Sequence, residues 1–210
     1  MEVEFMAEQP EQPERTAAGL PLVEPDTATG RTAELLADAH AALGLTSNLI
    51  RTMANSPAAT QGYLDFAVAL RSGTLPLTAR LCVGLLVAQE LGDDYCLSSH
   101  TYVATRLAGL DENQVRRARS GEADDPVVAA ALTLASALLC RNECVTAAET
   151  ATARRRLTAG QVVEVAAHVG VATFVSRLAK ASSIPLDWPA VHHTDLTSHT
   201  TQGDSPCSHV

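Results

Sequence analysis

Apolar positions recur at helical spacing along most of this chain. Leu35, Leu36, Ala39 and Leu43 make one stripe over residues 32–43, which Gly44 ends. Ser56-Pro57 opens a second helix, with proline at its first position, running through Tyr63, Phe66, Ala67 and Leu70 to Gly73. A strongly apolar helix follows over 81–91, with Thr78 read as its cap and Gly92 as its stop. The next runs from Asp94 to Leu107 and stops at Gly109. Asp111-x-x-Gln114 is a capping-box pattern for a short basic helix through Arg119. Asp125-Pro126 opens a long Ala/Leu helix to about Asn142, and Thr158 with Gln161 opens another to Ala181, closed by Ile184-Pro185. Only stretches of about four residues or fewer alternate with period two, so the pattern predicts an all-α fold. Leu77-Thr78-Ala79 recurs as Leu157-Thr158-Ala159, a faint sign of two related helical halves.

The two ends break the pattern. Residues 1–29 are rich in Glu, Pro and Thr and read as a flexible arm; residues 190–210 are polar and read as a disordered tail. Residues 30–189 are then one helical domain. Hydrophobic residues make up 46% of the chain but aromatics only 3%, so the apolar mass is Ala, Leu and Val, which suits close-packed helices. The formal net charge of −9 repels phosphate and argues against a nucleic-acid partner. With no run of about 18 apolar residues, no membrane span is expected. The acidic start lacks a signal-peptide pattern, so the expected location is the cytoplasm. There the five cysteines (Cys82, Cys96, Cys140, Cys144, Cys207) are expected as reduced thiols.

One stretch carries candidate chemistry: Gly92-Asp93-Asp94-Tyr95-Cys96-Leu97-Ser98-Ser99-His100-Thr101-Tyr102. Spacing i,i+4 puts Cys96 and His100 on one helix face. A helix N-terminus and a neighbouring imidazole both favour the thiolate; the charges of Asp93 and Asp94 oppose it. Tyr95 and Tyr102 bracket His100, so scarce aromatics gather at this point. The bland reading of the same spacing is a packed thiol and a satisfied histidine.

This stretch resembles the signature of the AhpD-like and carboxymuconolactone decarboxylase superfamily, whose redox members carry Gly-Cys-x-Tyr-Cys-x-x-x-His-Thr. Leu43-Gly44-Leu45, Asn48-Leu49-Ile50, Ser56-Pro57, Thr74 to Arg80, and Phe174 to Ala179 with Pro185-Leu186-Asp187 extend the resemblance over roughly 32–189. It implies an all-helical domain assembled as a homo-oligomer, trimer or hexamer. It also implies Cys96 at the peroxide-attacking position, with His100 as acid/base. Two departures stand out. The first cysteine of the motif is Asp93, and the relay glutamate falls on Leu81. A disulfide between positions 93 and 96 cannot form, so oxidised Cys96 needs an outside thiol, with Cys82 a weak internal candidate.

Other residues have plainer readings. Glu90 is a stand-in for the lost glutamate or a solvated helix-end carboxylate. Glu164 and His168 share a helix face, as pocket residues or as a satisfied pair. Cys140 and Cys144 are two ligands short of a zinc site. Arg154-Arg155-Arg156 reads as a helix-end or loop cluster, and Arg177 as a partner for a carboxylate across an interface. His192 and His193 read as solvated rather than as metal ligands.

Three functions remain open. The first is a peroxidase-like oxidoreductase using Cys96 and His100, with Glu90, Asp93, Asp94, Tyr95 and Tyr102 as pocket or relay residues. The second is a non-redox acid–base enzyme acting through His100 on a small carboxylated or carbonyl substrate. The third is a catalytically silent oligomeric module. None calls for a metal or an organic cofactor, and the first needs only a peroxide and an external thiol.

Overall fold

The computed structural model describes residues 19–139 and 146–199, the side chains of 197–199 excepted. Among these residues there are nine α-helices and no strand: α1 (Gly30–Leu43), α2 (Asn48–Met53), α3 (Pro57–Arg71), α4 (Leu77–Glu90), α5 (Asp94–Leu107), α6 (Glu112–Arg119), α7 (Pro126–Leu139), α8 (Ala147–Arg156) and α9 (Ala159–Ser182). The all-α expectation holds. α4 is the hub, packed against α5, α6, α7 and α9. Its apolar residues surround the axis, and Ala79, Val83, Leu85, Leu86 and Val87 are all buried, as a central helix requires. Burying side chains of this kind contributes about 1.5–3 kcal/mol for each large aliphatic.

Local signals set most boundaries. Both expected capping boxes are present, Asp111 with Gln114 and Thr158 with Gln161. Asp125 Oδ1 accepts the amides of Val127 and Val128 where α7 begins. The expected end of α7, at Asn142, lies outside the described residues, as do Cys140, Cys144 and Cys207.

Four expectations need correcting. First, α4 begins at Leu77, with Pro76 rather than Thr78 at the cap position. The loop amides ahead of it find an acceptor far away in sequence. Thr74 N and Leu75 N donate to the Glu164 carboxylate of α9 at 2.9 and 2.6 Å.

Second, α2 and α8 are additional helices. α8 is polar, held at its start by a Thr146–Glu149 capping box, and ends on Arg154-Arg155-Arg156 against its exposed carbonyls. Third, α9 is long and apolar enough by length and composition to cross a membrane. Here it packs on α3, α4, α5 and α7.

Fourth, neither end of the described chain hangs loose. Leu20 N donates to Ser182 O, Val23 N donates to Arg51 O, and Arg51 pairs with Glu24. This ties part of the expected arm to the domain; residues 1–18 lie outside the described residues. Residues 190–199 of the expected tail, continuing from 186–189, form a strap across the start of α5, ending in a short 3-10 helix, His193–His199. Residues 200–210 lie outside the described residues.

Candidate functional site around Cys96

The site is built at the N-terminus of α5. Gly92 takes a left-handed turn (φ 60°) that a side chain would strain, which reverses the chain between α4 and α5. Asp93 then caps α5: its Oδ1 accepts Tyr95 N at 3.1 Å. This orientation directs Oδ2 inward, where it is buried without a well-formed hydrogen-bond partner. Cys96 lies one turn on, buried at 4% exposure, and faces both Asp93 and Ser176 of α9. Burial, then the Asp93 charge and hydrogen bonding to its carboxylate, push the thiol well above its usual pKa; Ser176 works the other way. Burial, which the sequence did not show, and the Asp93 charge together favour the neutral thiol.

His100 lies one turn beyond Cys96 and packs its ring flat on Gly84 of α4. A Cβ at Gly84 would sit 2.6–2.8 Å from three ring atoms, so the position must be glycine for the ring to lie there. Burial holds the His100 pKa down at about 4, helped by His168 and opposed by the Asp93 charge. The imidazole is therefore neutral at physiological pH, poised between a carboxylate and a second imidazole. Tyr63 of α3 completes the surroundings. Burial raises its pKa, and Cys96 adds to the shift. Tyr63 also forms part of an apolar groove of about 330 Å³ between α3 and α9, walled by Phe66 and Phe174.

Asp93, Cys96 and His100 are thus brought together, with His168 beside His100, whereas Glu90, Asp94, Tyr95, Tyr102 and Cys82 lie apart from them. Glu90 is exposed at the end of α4. Asp94 turns outward to the strap: its two oxygens each lie 2.7 Å from Nδ1 of His192 and His193, and His193 N donates to it at 2.8 Å. Burial alone would raise its pKa, but these bonds bring it down to about 2. His192 and His193 are accordingly clasped rather than loosely solvated. Tyr95 is a structural anchor: its hydroxyl donates to Asp187 Oδ2 at 2.5 Å and accepts Leu49 N at 3.0 Å, and its ring meets Trp188 edge-on. Tyr102 is 42% exposed, under the guanidinium of Arg106. Cys82 is a core residue, its thiol pushed up to about 11 by burial. Two residues not singled out in the sequence, Tyr63 and Ser176, come from α3 and α9, and His168 joins them as a pocket residue. A polar line Glu164, His168, Ser176 at multiples of four along α9 was the sequence signal for Ser176; Tyr63 had none.

No protein-family model matches the sequence, and no curated protein matches it. Solved structures do match in fold. A cysteine-to-alanine variant of the debrominase Bmp8, in complex with 2,3,4-tribromopyrrole, superposes with a TM-score of 0.68 at 20% identity, over 82% of this chain and 92% of that one. The alkylhydroperoxidase AhpD core protein of Ralstonia eutropha JMP134, a peroxidase-related protein, gives 0.69 at 16% identity, covering 83% and 94%. A peroxidase-related protein of Silicibacter sp. TM1040 gives 0.66 at 15%, covering 83% and 95%. The chain has the AhpD-like helical fold.

Proposed function

We propose that this chain is a thiol-dependent oxidoreductase that reduces a small organic hydroperoxide at Cys96 and is regenerated by an external thiol. The convergence of Cys96, Asp93 and His100 at the start of α5 is the observation that carries this reading. The AhpD-like fold supports it. Because the thiol is protonated at rest, a base must stand beside it, and the Asp93 carboxylate does.

In the reaction, sulfur attacks the terminal peroxide oxygen. The S–O bond forms as the O–O bond breaks, and the thiol proton passes through Asp93 to the departing alkoxide. The products are an alcohol and Cys96 sulfenic acid. With a carboxylate at position 93, a first external thiol condenses with the sulfenic acid and releases water. A second attacks the mixed disulfide, restores Cys96 and leaves as the external disulfide. The apolar groove beside Tyr63 favours an organic substrate over hydrogen peroxide. The Bmp8 structure with a planar halogenated ring accords with that class.

The test is consumption of cumene hydroperoxide with dithiothreitol, wild type against Cys96→Ser. Loss of turnover in the variant is expected; equal turnover in both overturns the reading. The protonated thiol and the neutral His100 also favour a second reading, acid–base chemistry on a small carbonyl substrate. It predicts α-proton exchange of pyruvate, followed by NMR, that survives Cys96→Ser and disappears in His100→Ala.

A further inference from the structure

Buried polar atoms in folded proteins nearly always have partners, and an exception needs a reason. Among the described residues, six buried side-chain atoms lack a well-formed partner, and all six belong to α4, α5 and α9 or their caps: Ser182 Oγ on the last residue of α9, and five others. The five are Arg80 Nε, Asp93 Oδ2, Thr101 Oγ1, His168 Nε2 and Ser176 Oγ. These three helices pack on one another. Residues 164, 168, 172 and 176 form one face of α9 at four-residue spacing. Ser176 lies by Cys96, and His168 lies by His100 and by Arg80. At its outer end the line reaches the surface. Glu164 accepts Thr74 N at 2.9 Å, Thr74 Oγ1 at 3.1 Å and Leu75 N at 2.6 Å, and its charge acts on His168. A file of unsatisfied donors and acceptors leading from a buried thiol to a solvent-facing carboxylate is the layout of a proton path.

We propose that His168 is the outer relay residue of a proton path running from Cys96 through Asp93 and His100 to the surface at Glu164. This rests on the reading of Cys96 given above and assigns it a proton supply. The oxidative step needs none, because the thiol proton ends on the leaving alkoxide. The final thiol exchange does. There the mixed disulfide releases Cys96 sulfur, which leaves as a thiol only if a proton arrives, since a thiolate is disfavoured in this environment. His100 accepts the proton from His168 and passes it to Asp93, and Asp93 passes it to sulfur. His168 acts through His100 and is a positioning residue. The groups facing it are Arg80 on α4, Glu164 on its own helix and His100 on α5. α7, the other main neighbour of α9, carries no charged residue. On α3, Tyr63 faces Cys96, and Arg71 acts on Tyr63 while donating to Ala42 O.

A direct readout is the exchange of the Cys96 S–H proton for deuterium in D2O, followed by infrared and assigned with Cys96→Ser. His168→Gln retains a polar side chain but cannot carry a proton. It is expected to slow exchange at least tenfold, and a rate within twofold of wild type overturns the proposal. In His168→Ala, added imidazole should restore the rate; failure to restore it assigns His168 a packing role and also overturns the proposal. In turnover with cumene hydroperoxide and dithiothreitol, His168→Gln should slow the reductive half-reaction at least tenfold and leave the oxidative half-reaction unchanged. If the wild type shows no Cys96-dependent turnover while exchange still depends on His168, the peroxidase reading falls and the proton path stands.

Discussion

Gly84→Ala tests how closely the His100 seat is specified. The new methyl carbon would start 2.6 Å from the nearest ring atom. Ordinary carbon contact needs about 3.5 Å, so the ring must give way by about 1 Å. The ring is packed in the junction of α4 and α5, and overfilling such a site costs about 1–3 kcal/mol. Replacing glycine inside a helix by alanine returns about 1 kcal/mol of helix propensity. The net expectation is a loss of about 0–2 kcal/mol. Gly170→Ala is the internal control, because it makes the same chemical change inside α9, where a Cβ meets nothing within 4 Å. It should gain about 1 kcal/mol.

Urea unfolding of both variants at a constant m-value reads the difference, expected at about 1–3 kcal/mol. A 1 Å displacement of an acid/base group also lowers turnover by about 10–100-fold, so Gly84→Ala should lose peroxide reduction. If the two variants gain stability equally, the claim that glycine at 84 exists to seat His100 is refuted.

Other expectations follow from the same contacts. Tyr95→Phe leaves Leu49 N without its acceptor and should cost about 1–3 kcal/mol in urea unfolding. Buried neutral His100, with its pKa held at about 4 against 6.5 unfolded, makes the unfolded chain bind more protons below pH 6.5. Stability should therefore fall on acidification, by about 3 kcal/mol at pH 4, and His100→Gln should flatten that limb of a pH-resolved unfolding series. Strap docking depends on Asp94, whose contribution is present above pH 3.8 and lost toward about 2. It also depends on His192, whose raised pKa makes its contribution full below 6.5 and lost at higher pH. Cleavage of the strap by a protease should be slowest between these limits, and Asp94→Asn should remove the pH dependence.

What was legible in the sequence is what local chemistry determines. The capping boxes at Asp111 and Thr158, the proline-led starts of α3 and α7, and the shared face of Cys96 and His100 all lie within one or two helical turns. What was not legible depends on partners far along the chain. The start of α4 depends on Glu164, about ninety residues on. The strap is ordered by Asp94 and Tyr95, which read locally as motif residues. Glu164 and His168 read either as pocket residues or as a satisfied pair. In fact Glu164 satisfies the loop before α4, and His168 Nε2 is left without a partner. Of the three carboxylates near Cys96 in sequence, only the geometry of the cap decides that Asp93 turns inward and Asp94 outward.

The strap also bears on the order in which the protein is made. Asp94 and His192 are 98 residues apart, and Tyr95 and Asp187 are 92 apart. On a ribosome adding about 5–20 residues per second, the start of α5 emerges roughly 5–20 seconds before the segment that covers it. Until then Tyr95 has no Asp187 to hold, and the apolar side chains beside Cys96 face solvent or a chaperone. A released chain truncated at residue 185 should be cleaved by a protease at the start of α5, which the full-length chain protects.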